Sequence, residues 1–264
     1  MIKILLFFMI ILAFAFSKDV YTFSINPLFG FFSALMGKQK DYVYNVILSS
    51  NFDHHSLDLK PSTVKNIKNS KKVFVVGTLE IEKEVLKIID KNKVFNLKEY
   101  IKLIDDDPHL WISVKNSKRI IELLYKEIST EFKVSNQLCD NYRKEYRKFV
   151  DLDKKFESFF KKNNSIVILS YHNEFRYFAK DYGVMIIPIF MHEEDISPKA
   201  LKDITKKISL IHKNVFLIVP PYYDRKVVDY ITKNANNLKV IVFNSNSINL
   251  YEEFRKLYVG IGGK

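Results

Sequence analysis

Cysteine is nearly missing from this 264-residue chain, since Cys139 is the only one. No intramolecular disulfide can form, paired CxxC motifs are excluded, and no cysteine stands near the N-terminus to accept a lipid. Breakers are sparse as well. Between Gly77 and Gly183 there is no glycine, and Pro108 is the only proline in that stretch. Nothing interrupts a long helix from about Lys133 to Lys162. Low-complexity tracts and histidine-rich loops are also absent.

What the chain does carry is a globular balance of 47% hydrophobic and 27% charged residues, with no sign of disorder. Its length allows two lobes, each with its own core. The formal charge of +12 comes from scattered lysines rather than a dense basic block. Without a nucleic-acid motif this reads as a solvated surface, and nucleic acid is not expected as a partner. A positive field repels a divalent cation at long range, so a metal site would have to win by direct ligation.

Residues 1–17 carry Lys3, an apolar run from Ile4, and small residues at Ala13, Ala15 and Ser17. That pattern predicts a secretory signal peptide, too short to span a bilayer comfortably. A soluble periplasmic protein without a lipid anchor is the expectation.

Apolar runs and helical periods then alternate. Strands are expected at 20–24, 42–48, 73–76 and 93–96, with helices at 28–36, from Pro61 to about Asn69, at 80–90, and from an N-cap at Ser113 to about Ser129. The apolar positions Leu138, Tyr142, Tyr146, Phe149, Phe156 and Phe159 recur at helical spacing, which predicts one long helix over 133–162 or two shorter ones broken near 150–153. Four further strands (166–169, 185–189, 215–219, 240–243) alternate with helices at 175–182, 198–211, 224–234 and 248–258. The expected fold is α/β: two lobes, residues 18–132 and 163–264, each a mainly parallel sheet flanked by helices, joined by one long helix over 133–162.

In parallel sheets ligands bind outside the carboxyl ends of strands. His172 directly follows the strand at 166–169, His109 sits behind Pro108 just ahead of the Ser113 cap, and His55 lies between the strand at 42–48 and Pro61. Three neutral imidazoles suit zinc and leave a fourth position open. Yet a lone histidine is more often a surface or core residue, and none of the three has close HxxxH spacing. The residues alone leave joint ligation open. His54 reads as solvent-facing, His192 as part of a solvated loop, and His212 as a helix C-terminal dipole partner.

Three stretches, in order along the chain, resemble the zinc and manganese substrate-binding proteins of bacterial ABC transporters: His55-Ser-Leu-Asp-Leu-Lys-Pro61-Ser62, Asp107-Pro108-His109-Leu110-Trp111, and Ser170-Tyr-His172-Asn-Glu-Phe-Arg-Tyr177-Phe178. The resemblance covers nearly the whole chain after residue 17. It implies a metal between two lobes bridged by a long helix, a membrane permease as partner, and His55, His109 and His172 as ligands, in a monomer without catalysis. Nitrogen at His172, where manganese members usually have a carboxylate, favours Zn2+ over manganese or another hard divalent ion. The aspartate often found after the last strand is replaced here by Asn244, so the fourth ligand would be water or an Asn244 oxygen. Glu174, taken as helical, is a candidate acceptor near His172 or a surface residue. A competing reading, a three-histidine zinc hydrolase, has only Glu174 available as acid or base.

Overall fold

The computed structural model describes residues 18–37, 42–48, 59–190, 197–209, 211, 215–235 and 238–264. Two four-stranded parallel sheets organise it. The first contains β1 (Asp19–Ile25), β2 (Tyr42–Leu48), β3 (Lys72–Val75) and β4 (Val94–Asn96), in the order β2-β1-β3-β4. The second contains β5 (Val167–Ser170), β6 (Met185–Pro188), β7 (Val215–Val219) and β8 (Leu238–Val242), in the order β6-β5-β7-β8. The repeated order is what alternating strands and right-handed helical crossovers produce. Central strands β1, β3, β5 and β7 are buried almost throughout, which is why β3, β5 and β7 read as nearly continuous apolar runs, while β1 buries Thr22 and Ser24 between its apolar residues.

Helices α1 (Asn26–Met36), α2 (Pro61–Lys68), α3 (Glu80–Ile88) and α4 (Val114–Glu131) belong to the first lobe. In the second lie α6 (Arg176–Tyr182), α7 (Pro198–Ser209), α8 (Arg225–Asn234) and α9 (Leu250–Gly260). Pro27 and Pro61 open α1 and α2, where a missing N–H costs nothing. Ser113 caps α4 by accepting the Asn116 amide at 2.9 Å.

The link is α5 (Asn136–Lys162), a single unbroken helix of 27 residues, about 40 Å long at 1.5 Å per residue. It starts three residues later than the expected 133, because Ser135 caps it by accepting the Leu138 amide at 3.1 Å. Its first half packs on the first lobe, through Phe149 against Phe31 at 5.7 Å and Asn141 donating to the Leu35 carbonyl at 2.9 Å. Its second half serves the other lobe, with Phe156 meeting Phe178, Tyr182 and Tyr258 between 5.1 and 5.3 Å. One apolar core therefore runs through both lobes, from Tyr21 to Tyr258. Among the described residues no helix is long and apolar enough to cross a membrane.

Candidate metal centre

The segment from Ile104 to Ser113 follows β4 in the first lobe, yet the second lobe holds it. The Tyr177 hydroxyl on α6 donates to the Asp107 carbonyl at 2.8 Å and accepts the Ile104 amide at 3.2 Å. Trp111, fully buried, donates its indole N–H to the Ser245 carbonyl at 2.8 Å. Ser113 donates to the Asp181 carboxylate of α6. Arg176 pairs with Asp105 at 2.9 Å across the same boundary, an exposed contact worth little energy. Asn246 adds a further bridge: its oxygen accepts the Asn26 amide and its amide nitrogen donates to the Leu48 carbonyl, both at 3.1 Å.

The turn after β3 supports the segment from the other side. Glu82 is buried, and its carboxylate accepts the amides of Val76, Gly77, Thr78 and Leu79 at 2.7 to 3.0 Å. Burial pushes this carboxyl above its ordinary range against the pull of those amides. Gly77 is required there, with φ at +90° and no room for a Cβ beside Asn96. The turn so fixed presents the Thr78 hydroxyl to the Pro108 carbonyl at 3.1 Å.

His109 is the product of this scaffolding. Asp107 accepts the His109 backbone amide at 2.9 Å and contacts ring Nδ1 at 2.8 Å, both through Oδ1. A carboxylate at Nδ1 favours the tautomer with the proton there, which leaves Nε2 as the lone-pair nitrogen. The Asp107 carboxylate is buried, and its Oδ2 has no hydrogen-bond partner among the described residues. A positive charge near the imidazole would compensate such a group. Two consecutive residues at positive φ, Asp105 at 46° and Asp106 at 59°, turn the chain into this arrangement.

His172 occupies the turn after β5, half-buried, with its ring edge-on to Tyr171 at 4.9 Å. Its carbonyl accepts from the Ser170 hydroxyl and from the Glu174 amide, the latter at 3.0 Å. Glu174 is expected from the sequence to be helical, either an acceptor near His172 or a surface residue, and the structure makes it neither helical nor exposed. The helix begins at Arg176, and Glu174 lies buried in the turn before it. Burial pushes its carboxyl above the usual range, against the opposing pull of nearby His109 and of a hydrogen bond with Ser245. Glu174 thus lies in the electrostatic reach of His109 while sharing a turn with His172.

Asn244 stands at the end of β8, where its backbone amide reaches Glu253 at 3.0 Å and its side-chain oxygen accepts the Asn246 amide at 3.1 Å. His55, with His54, His192 and His212, lies outside the described residues. Among the described residues no group of three histidine, cysteine or carboxylate side chains is arranged to hold a metal ion. Phe175 and Trp111 are packing residues, both essentially without exposure. Asp107 is the site residue whose role sequence reasoning left unassigned; a carboxylate two residues before a histidine, across proline, was its only signal.

Residues 22–261 match the family model described as the zinc-uptake complex component A, periplasmic. A Thermotoga maritima relative named for metal binding is 26% identical over 211 residues, which is 78% of this chain and 77% of that protein. The structure of a periplasmic zinc-binding protein from Treponema pallidum superposes with a TM-score of 0.75 at 14% identity, over 93% of this chain and 99% of the other. A manganese-bound periplasmic metal-binding protein from Candidatus Liberibacter asiaticus gives 0.73 at 14% identity, over 92% of this chain and all of the other.

Proposed function

This chain belongs to the periplasmic zinc-uptake component family, whose members are metal-binding parts of ABC transporters and not enzymes, and from that premise we propose that it captures Zn2+ through His55, His109 and His172 and delivers it to a membrane permease. The observation that carries the reading is the Asp107 contact to His109 Nδ1 at 2.8 Å. It prepares Nε2 as a donor and gives the ligand a fixed orientation. Hydrolysis drops out as a competing role.

Zinc is favoured over manganese because three imidazoles are softer donors than the oxygen-rich sets that hard ions prefer. The fourth position falls to water or to an oxygen of Glu174 or Asn244. Glu174 is the better candidate of the two, since it lies within electrostatic reach of His109 and shares a turn with His172, while the Asn244 oxygen already accepts from Asn246. Residues 18–132 and 163–264 serve as the two lobes, 133–162 as the bridge, and 1–17 as an export signal, giving a monomeric periplasmic carrier.

Competition with a chromophoric chelator tests the proposal. The intact chain should show one tight zinc site per molecule, which His109→Ala or His172→Ala weakens by at least roughly a hundredfold, since each removes one of few metal–nitrogen bonds. A chain that binds no zinc tightly, or binds it equally well in both variants, contradicts it.

A further inference from the structure

Helix α5 bridges the lobes with one face and presents a second, strongly basic face to solvent. Arg143, Lys144, Arg147, Lys154 and Lys155 are exposed there, and with half-buried Lys148 they line a shallow groove of about 930 Å3 closed on one side by Tyr251. Only Asp140 and Asp151 offset them in the lining. Arg143 and Arg147 stand one helical turn apart, as do Lys144 and Lys148, so their side chains project in the same direction.

Charge pairing distinguishes this face from α3 and α4. On α3, Lys83 and Lys87 meet Glu80 and Glu84 at 2.7 and 2.6 Å; on α4, Arg119 and Lys126 both meet Glu122. Within the groove, Arg143 reaches Asp140 only at 3.4 Å, and Lys148 pairs with Glu145. Lys144, Arg147 and Lys154 make no ion pair among the described residues. Unneutralised cations held close together on a rigid helix raise the local potential and attract a polyanion. Guanidinium groups match phosphate oxygens in particular, by paired N–H donation.

We infer that the α5 groove is a docking face for an anionic phospholipid surface. A protein that delivers its cargo to a membrane transporter works next to a bilayer, and lipid phosphates offer the extended array of negative charge that a basic helix face complements. Weak electrostatic attachment would confine the carrier to two dimensions near its permease while leaving the metal site, on the Ile104–Ser113 and Ser170–Glu174 segments, untouched. Each basic residue near such a surface contributes roughly fivefold to partitioning, and the attraction fades with salt.

Vesicle co-sedimentation of the full chain tests this. The probes are vesicles of phosphatidylglycerol mixed with phosphatidylcholine, and vesicles of phosphatidylcholine alone, at low and at high salt. Binding is expected to the anionic vesicles only, lost at high salt, and weakened at least roughly tenfold in the Arg143→Gln/Lys144→Gln/Arg147→Gln/Lys154→Gln variant. The control is Lys199→Gln/Lys202→Gln/Lys206→Gln/Lys207→Gln on α7, which removes the same charge from another exposed helix and should keep most of the binding. Both variants should bind zinc as the parent does. No binding to anionic vesicles overturns the inference, as does equal binding to neutral ones. So does an equal loss in the two variants, which would mean diffuse charge rather than a site, or an unaffected α5 variant, which would leave the groove to an anion other than lipid.

Discussion

The Asp107 carboxylate grips His109 twice through one oxygen, at the backbone amide and at ring Nδ1, at 2.9 and 2.8 Å. Backbone and ring are thereby fixed to the same buried anchor. Tyr177 and Thr78 hold the carbonyls of Asp107 and Pro108 in turn, so the histidine is oriented by residues of both lobes.

Removing that anchor should weaken metal binding without unfolding the chain. Asp107→Ala is expected to lower zinc affinity by roughly 10- to 100-fold, the usual effect of losing a carboxylate behind a histidine ligand. Chelator competition reads the change, and an affinity equal to that of the parent would show that the contact does not matter for binding.

The interlobe packing makes a prediction of unusual sign at Gly30. Alanine in place of a helical glycine ordinarily stabilises by about 1 kcal/mol. Here a Cβ would lie 1.8 Å from the Ile248 carbonyl oxygen, so α1 and the segment before α9 could not keep their contact. Gly30→Ala should destabilise the chain by about 1–3 kcal/mol in urea unfolding, the range for overpacking. A stabilised variant would contradict the close approach.

A buried ion pair offers a third test. Lys118 pairs with Asp153, which also accepts the Tyr182 hydroxyl at 2.9 Å. Lys118→Met leaves a carboxylate buried without its cation and should cost about 3 kcal/mol. By contrast Lys83→Ala, from an exposed pair, should change stability by no more than about 0.5 kcal/mol. Equal effects in the two variants would refute the distinction.

Acid should release the metal. Imidazole binds zinc only when neutral, so protons compete as pH falls through the ordinary histidine range near 6.5. With three such ligands the affinity should drop on the order of 10^2- to 10^3-fold between pH 7.5 and pH 5.5. Titrations at the two pH values check it, and a flat profile would exclude imidazole ligation.

Much of this architecture was legible in the sequence because its signals are local. Apolar runs ended by Gly77, the Ser113 cap, and the absence of breakers around α5 depend on near neighbours in the chain. The start of α5 falls at 136 rather than 133 because Ser135 caps it, a stop that the absence of breakers does not reveal. Glu174 was misread as helical, since periodicity does not show that the chain turns until Arg176. The scaffold behind the grip on His109 was illegible for a different reason: Tyr177 lies 70 residues from Asp107, Trp111 lies 134 from Ser245, and Asn26 lies 220 from Asn246. No local pattern encodes such contacts. The role of Asp107 also depends on the positive φ of Asp105 and Asp106, which aspartate permits but does not announce.

The most direct test of the central claim is X-ray absorption at the zinc edge on the chain loaded with one equivalent of Zn2+. Three imidazole nitrogens at about 2.0–2.1 Å, with one further oxygen, are predicted. The spectrum of His55→Ala should lose one imidazole. A zinc shell with fewer than two imidazoles in the parent, or an unchanged count in that variant, would contradict the three-histidine account.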